Sequence, residues 1–209
     1  VHLVAQERHA EKRAQIGLLP LLRSRVQAEI LTTVLLNPDQ EWSLIDLARR
    51  GQTSVPTAQR EVRRAEESGV VRSHKVGNTR LVQADPDGSL TEPLTELLRR
   101  AFGPCQVLSE LLAAVRGVEA AYLFGSWAAR LDGERGRAPQ DIDVLVLGDP
   151  DRDAVGEAVS VAERQLARPV QVTIGRMSWW RDGDDAFRNE IARRPLVETL
   201  ISSPEPVVR

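Results

Sequence analysis

The sequence predicts an α+β protein built in two parts with a helical connector between them, and three observations carry that reading. Residues 1–85 set helix-period apolar stripes ahead of a hairpin signature. Residues 118–209 alternate apolar runs of strand length with an amphipathic helix. The intervening 86–117 hold two further helical stripes bounded by glycine. The 209 residues, 42% hydrophobic and 28% charged, suffice for two small domains with buried cores.

Leu19, Leu22, Val26, Ile30 and Val34 fall at helical spacing, and Asn37-Pro38 closes that segment. Ser43 caps a second, short helix with apolar Leu44, Ile45, Leu47 and Ala48, ending at Gly51. Ser54, with Pro56 in the first turn, starts a third whose stripe is Ala58, Val62 and Ala65 and whose end is Gly69. An extended run from Val70 to Val76, a Gly77-Asn78 turn and a return strand through Leu81-Val82 complete a hairpin. Helix, short helix, turn, helix and hairpin in that order is the plan of a winged helix-turn-helix.

Charge divides with the domains. Residues 1–85 hold thirteen Lys/Arg against ten Asp/Glu, net +3, and residues 86–209 hold fifteen against twenty, net −5. Within Ser43–Ala84 the balance is eight to four, so this stretch is the part suited to a polyanion. Helical geometry sets Thr57, Arg60 and Arg64 opposite the apolar stripe, flanked by Pro56 and Arg63, with Ser54 at the helix start. Arg72, Lys75, Asn78 and Arg80 surround the hairpin tip, with His74 as a phosphate neighbour or plain surface residue. Double-stranded DNA is the partner these residues fit: arginines for guanine or phosphate and small hydroxyls for the backbone.

In the connector, Leu94, Leu97, Leu98 and Ala101 form one stripe, broken at Gly103. Val107, Leu108, Leu111, Leu112 and Val115 form another after Pro104. A second stripe is free to face another copy, and two-fold operators call for paired readers, so a homodimer is expected. Cys105, a single cysteine, excludes an intrachain disulfide, reads as an inert small residue and, with three scattered histidines, gives no zinc pattern. The apolar runs Ala120–Phe124 and Val144–Leu147 are too short to span a bilayer, and Glu7 and Glu11 among Arg8, Lys12 and Arg13 leave no readable signal peptide. A cytoplasmic location with no membrane partner is the expectation.

Residues 118–124 read as a short buried strand running into Gly125-Ser126, after which Trp127–Arg130 begin a helix. Further on, Asp141 and Asp143 head the apolar strand Val144–Leu147, where aspartate is otherwise depleted. Residues i and i+2 of a strand share a face, so two carboxylates about 6.5 Å apart would repel by roughly 2–3 kcal/mol at an effective dielectric near 20. Mg²⁺, which takes one or two carboxylates plus substrate phosphates, offsets that repulsion. Gly125 allows close backbone approach, and Ser126 with the following helix start suits a triphosphate.

Gly125-Ser126 after a strand, followed by Asp141-x-Asp143 heading the next, resembles the minimal nucleotidyltransferases of the DNA polymerase β superfamily. From about Leu21 to Leu200 the chain resembles ArsR/MarR-like winged-helix regulators fused to such a domain, a nucleotidyltransferase-like mixed-sheet α/β unit. The resemblance implies that Gly125, Ser126 and Arg130 bind nucleotide phosphates, that Asp141 and Asp143 hold divalent metal (and are catalytic if the site is active), and that Mg²⁺ and ATP or another NTP are the ligands. It also implies a third carboxylate on a later strand; that strand reads as Val170–Ile174, with Gln171 at the acid's position. Glutamine offers a metal one neutral oxygen and is no general base. The loop after Ser126 is also long, Leu131 follows Arg130 in place of a glycine, and Gln140 replaces a serine.

Between these strands Val155, Ala158, Val159, Ala162 and Leu166 mark a crossover helix ended by Arg168-Pro169. Trp179-Trp180 is either a hydrophobic plug or a base-stacking surface. Asp182, Asp184 and Asp185 read as a solvated loop, and Phe187, Ile191 and Leu196–Ile201 as closing core. The resulting expectation is a DNA-binding transcriptional regulator whose second domain binds nucleotide and Mg²⁺ or a protein partner. The alternatives are an active nucleotidyltransferase moving NMP from NTP to a protein or small molecule and, as the resemblance alone implies, an antitoxin-type autoregulator paired with a toxin.

Overall fold

The computed structural model describes residues 22–134 and 138–201. The described residues divide into two compact units, the first ending at Ala101 and the second beginning at Phe102, the last residue of a helix that starts in the first.

In the first unit, α1 (Arg25–Leu35), β1 (Trp42–Ser43), α2 (Leu44–Arg50), α3 (Val55–Glu67), β2 (Val71–Val76), β3 (Thr79–Ala84) and α4 (Thr91–Phe102) follow in order. Three of the helices begin at a serine. Ser24, Ser43 and Ser54 each accept a backbone N–H three residues on, satisfying one of the amides a helix start leaves open. The first helix therefore starts at Arg25, with Leu22 ahead of it; Leu19 lies outside the described residues. Val34, Leu35, Leu47, Ala58, Val62 and Val82 are fully shielded and form the centre of this unit's core. The sheet order is β1-β3-β2, all antiparallel, with Trp42 opposite Val82. The two-residue β1 is absent from the sequence reading because it is too short to show a period. Helix–strand–helix–helix–strand–strand with this pairing is the winged-helix arrangement.

The second unit contains α5 (Pro104–Leu112), β4 (Val118–Phe124), α6 (Gly125–Leu131), β5 (Ile142–Gly148), α7 (Arg152–Leu166), β6 (Val170–Gly175), α8 (Met177–Asp182), α9 (Ala186–Ala192) and β7 (Val197–Ile201). Its sheet runs β6-β5-β4-β7, mixed in sense, with β5 and β6 parallel across the α7 crossover and the other pairs antiparallel. A parallel pair needs such a crossover, and its central strand is apolar on both faces, which accounts for the unbroken Val144–Leu147 run.

The two faces of this sheet differ. On one, Ile142, Val144, Val146, Ala121 and Leu123 pack with Leu108 and Leu112 of α5 and with Val155, Ala158, Ala162 and Leu166 of α7. On the other, Ala120, Leu145, Leu147 and Ile191 form a smaller cluster with Tyr122, Phe124, Met177, Trp179, Trp180 and Leu196 against it. The tryptophan pair lies on this second cluster as a plug: Trp180 stacks on Tyr122 with ring centroids 6.4 Å apart. Trp179 covers Gly175, where a Cβ would come within 2.6 Å of its ring. Phe187, expected in the core, is 50% exposed, while Ile191 one turn on is buried. Asp185 caps α9 and accepts from the Trp179 indole at 2.6 Å.

Candidate functional site

β5 starts at Ile142, one residue later than the sequence pattern placed it, so Asp141 occupies the bend before the strand and Asp143 its second position. Asp143 pairs with Phe124 on one side and with Gln171 on the other. Paired residues project from the same face. The row Gln171–Asp143–Phe124 therefore lies on the face carrying the smaller cluster, beyond Leu145.

Gly125 follows Phe124 directly and opens α6. Its φ is +66°, in the region that favours glycine, and a Cβ there would fall 2.4 Å from Asp143 Oδ2. The carboxylate of Asp143 thus rests against a backbone position only glycine leaves open. Phe124 caps α6 without a side-chain hydrogen bond, and Ser126 is exposed beside it. Burial, and after it the charge of Asp141, pushes the Asp143 carboxyl above the usual carboxylate range. The two aspartates are therefore close enough to repel, and Asp143 stands against Gly125.

Arg130 lies in the last turn of α6, about 7.5 Å along the axis from Gly125 and half-buried. The long loop runs through residues 135–137, outside the described ones, and returns at Ala138. There the buried Arg168 donates to the Pro139 carbonyl, and Ile142 N–H donates to the Pro169 carbonyl at 2.9 Å, so the residues before β6 brace the approach to Asp141. This bracing is invisible in the sequence.

Two neighbouring carboxylates, one of them against Gly125, are the residues that would hold a cation completing its shell with phosphate oxygens and water, as Mg²⁺ does. Among the described residues no three His, Cys, Asp or Glu side chains cluster as a metal cage. Gln171 occupies the position across from Asp143, where an acid would make the third ligand. Cys105, half-buried and with its thiol pushed up to about 11 by desolvation, has the character of an inert packing residue.

In the first unit, α3 turns Ala58, Val62 and Ala65 inward and leaves Ser54, Pro56, Arg60, Arg63 and Arg64 exposed, with Thr57 half-exposed. Ser54 is occupied as the helix cap and also donates to Thr57 Oγ1 at 3.0 Å. Arg60 donates to that same Thr57 oxygen at 3.1 Å, and Arg63 pairs with Glu67 at 3.6 Å. On the hairpin, Arg72, His74, Lys75 and Asn78 are exposed; Arg72 reaches Gln83 and His74 faces Glu41 at 3.6 Å.

Two carboxylates on α3 were missed by the sequence reading. Glu61, only 8% exposed, pairs with Arg64 at 2.9 Å and with Arg23 ahead of α1. Glu66 pairs with Arg80 of β3 and accepts from Ser73 of β2. Arg64 and Arg80 are thus engaged within the unit, whereas Arg60, Arg63, Arg72 and Lys75 extend outward. Glu61 continues the Ala58 stripe one turn on, which is a readable signal; Glu66 and Arg80 are fourteen residues apart, and nothing local connects them.

No family model and no curated protein matches the sequence. Among solved structures, reduced HlyU from Vibrio cholerae aligns with 46% of this chain and 97% of its own, at 22% identity and a TM-score of 0.33. Among the described residues, no helix is long and apolar enough to cross a membrane.

Proposed function

We propose that this protein is a DNA-binding transcriptional regulator whose second unit binds a nucleotide and a divalent cation without turning the nucleotide over. The DNA-binding half rests on one observation: Arg60 and Arg63 of α3 and Arg72 and Lys75 of the hairpin are all exposed on a winged-helix arrangement. A recognition helix in the major groove with a wing along the adjacent phosphates uses such residues. The homodimer a two-fold operator requires belongs to this reading, and sedimentation of the intact chain tests it.

The second half rests on the Asp143 carboxylate lying against Gly125. In this reading Asp141 and Asp143 hold Mg²⁺, while the Gly125-Ser126 turn and Arg130 hold the phosphates of ATP or another NTP. A bound cation would neutralise the phosphate charge and relieve the repulsion between the aspartates. Gln171 supplies no base to an attacking hydroxyl, which favours binding over transfer. Melting the protein with Mg²⁺ and ATP, separately and together, tests this half. A rise with Mg²⁺ that ATP increases further, both lost in Asp143→Asn, is expected; no added rise with ATP would remove the nucleotide from the proposal. Duplex binding that weakens as salt increases tests the first half.

A further inference from the structure

We propose that Glu66 is a positioning residue that locks the wing to the recognition helix, so that both meet a duplex as one preset surface; this rests on the DNA-binding reading above. Three elements converge on it. Arg80 of β3 pairs with one oxygen of Glu66 on α3, Ser73 of β2 donates its hydroxyl to the other, and Arg80 Nε donates to Ser73 Oγ at 2.8 Å. The ion pair is largely shielded, with the arginine and glutamate side chains 28% and 24% exposed.

The apolar packing of the hairpin shows why this triangle is needed. On the face turned toward α3, Val71, Ala84 and Val82 are buried, Ser73 lies opposite Val82, and beyond that pair the same face carries only Lys75 and Arg80. Hydrophobic contact therefore ends before the turn at Gly77-Asn78. Lys75 and Arg80 are also direct cross-strand partners, and like charges opposite one another push a hairpin apart. Glu66 supplies the negative charge that offsets this pair and ties the outer half of the wing to the helix carrying Arg60 and Arg63.

The sign of one substitution tests the idea. Charge alone dictates that removing an anion beside a DNA-binding surface strengthens binding, because Arg80 is released for phosphate. A positioning role dictates the reverse. Anisotropy of a labelled mixed-sequence duplex is measured with the full chain as wild type, Glu66→Gln, Arg80→Gln, the double variant and Glu66→Asp. Alongside it, amide exchange of Val76–Arg80 is followed without DNA, and melting confirms that each variant folds. The expected result is about a fivefold loss of affinity in either single variant, no further loss in the double and recovery in Glu66→Asp, with hairpin amides exchanging about fivefold faster. Binding by Glu66→Gln that equals or exceeds wild type overturns the proposal, as does unchanged hairpin exchange. A wild-type chain that ignores duplex at every salt concentration removes the DNA-binding reading and the positioning role with it, while the exchange data still report whether the lock exists.

Discussion

Asp143 and Gln171 are Cα partners on the parallel strands β5 and β6, so their side chains leave the sheet on one face, about 4.8 Å apart. An acid at position 171 would stand beside Asp143 as a third ligand. Gln171→Asp is therefore expected to raise Mg²⁺ affinity about tenfold, since one added charge at this range contributes roughly 1–2 kcal/mol in a partly solvated site. Without metal the same change should destabilise the unit by about 1 kcal/mol through carboxylate repulsion. Calorimetric Mg²⁺ titration and melting with and without the ion check both signs. An affinity equal to wild type would mean that Asp143 and residue 171 do not share a cation.

Asp143 gives a pH prediction whose sign follows from its raised carboxyl. In the unfolded chain it titrates in the ordinary range, and in the folded chain at a higher pH because of burial first and Asp141 second. The folded state then holds the proton more tightly. The stability this group contributes is present below the ordinary range and lost as pH climbs through the raised folded value. Above that raised range the ionised carboxylate is a net cost, so Asp143→Asn should raise metal-free stability there. The same variant should lose the Mg²⁺ response, and wild-type Mg²⁺ stabilisation should fade as pH drops through the raised range. Denaturant titrations across pH, with and without Mg²⁺, provide the measurement.

Gly125→Ala combines two costs. The left-handed φ of +66° disfavours an L side chain by about 1–2 kcal/mol, and the new methyl meets Asp143 Oδ2 at 2.4 Å. A loss of at least about 2 kcal/mol is expected. Removing the carboxylate relieves only the second cost, so Gly125→Ala should be less harmful in an Asp143→Ala background. A double-mutant cycle by chemical denaturation measures that coupling. Strict additivity would place the carboxylate away from the glycine.

Much of this site was legible because strands and turns announce themselves locally. Asp141 and Asp143 stand out at the head of an apolar strand, and Gly125-Ser126 ends the one before it. The serine caps at Ser43 and Ser54 were legible for the same reason: each acts on an amide three residues away. Arg168 under the Pro139 carbonyl and Glu66 under Arg80 were not, since each pair joins distant segments through tertiary packing. Phe187 was misplaced because a single aromatic on a seven-residue helix has too little periodicity to fix its face.

Arg60 and Arg64 looked equivalent as sequence and are expected to separate in experiment. Arg60 is exposed and bonded to Thr57 alone among the contacts described, whereas Arg64 holds the buried Glu61 together with Arg23. Arg60→Ala should leave stability within about 0.5 kcal/mol and flatten the salt dependence of duplex binding by about 0.9 in log–log slope, the effect of one lost phosphate contact. Arg64→Ala should cost about 1–2 kcal/mol of stability, because a carboxylate with little access to water loses one of its two cations. Denaturation and salt-titrated anisotropy on the two variants distinguish these effects. An Arg60→Ala chain with an unchanged salt slope would move the duplex off this face of α3.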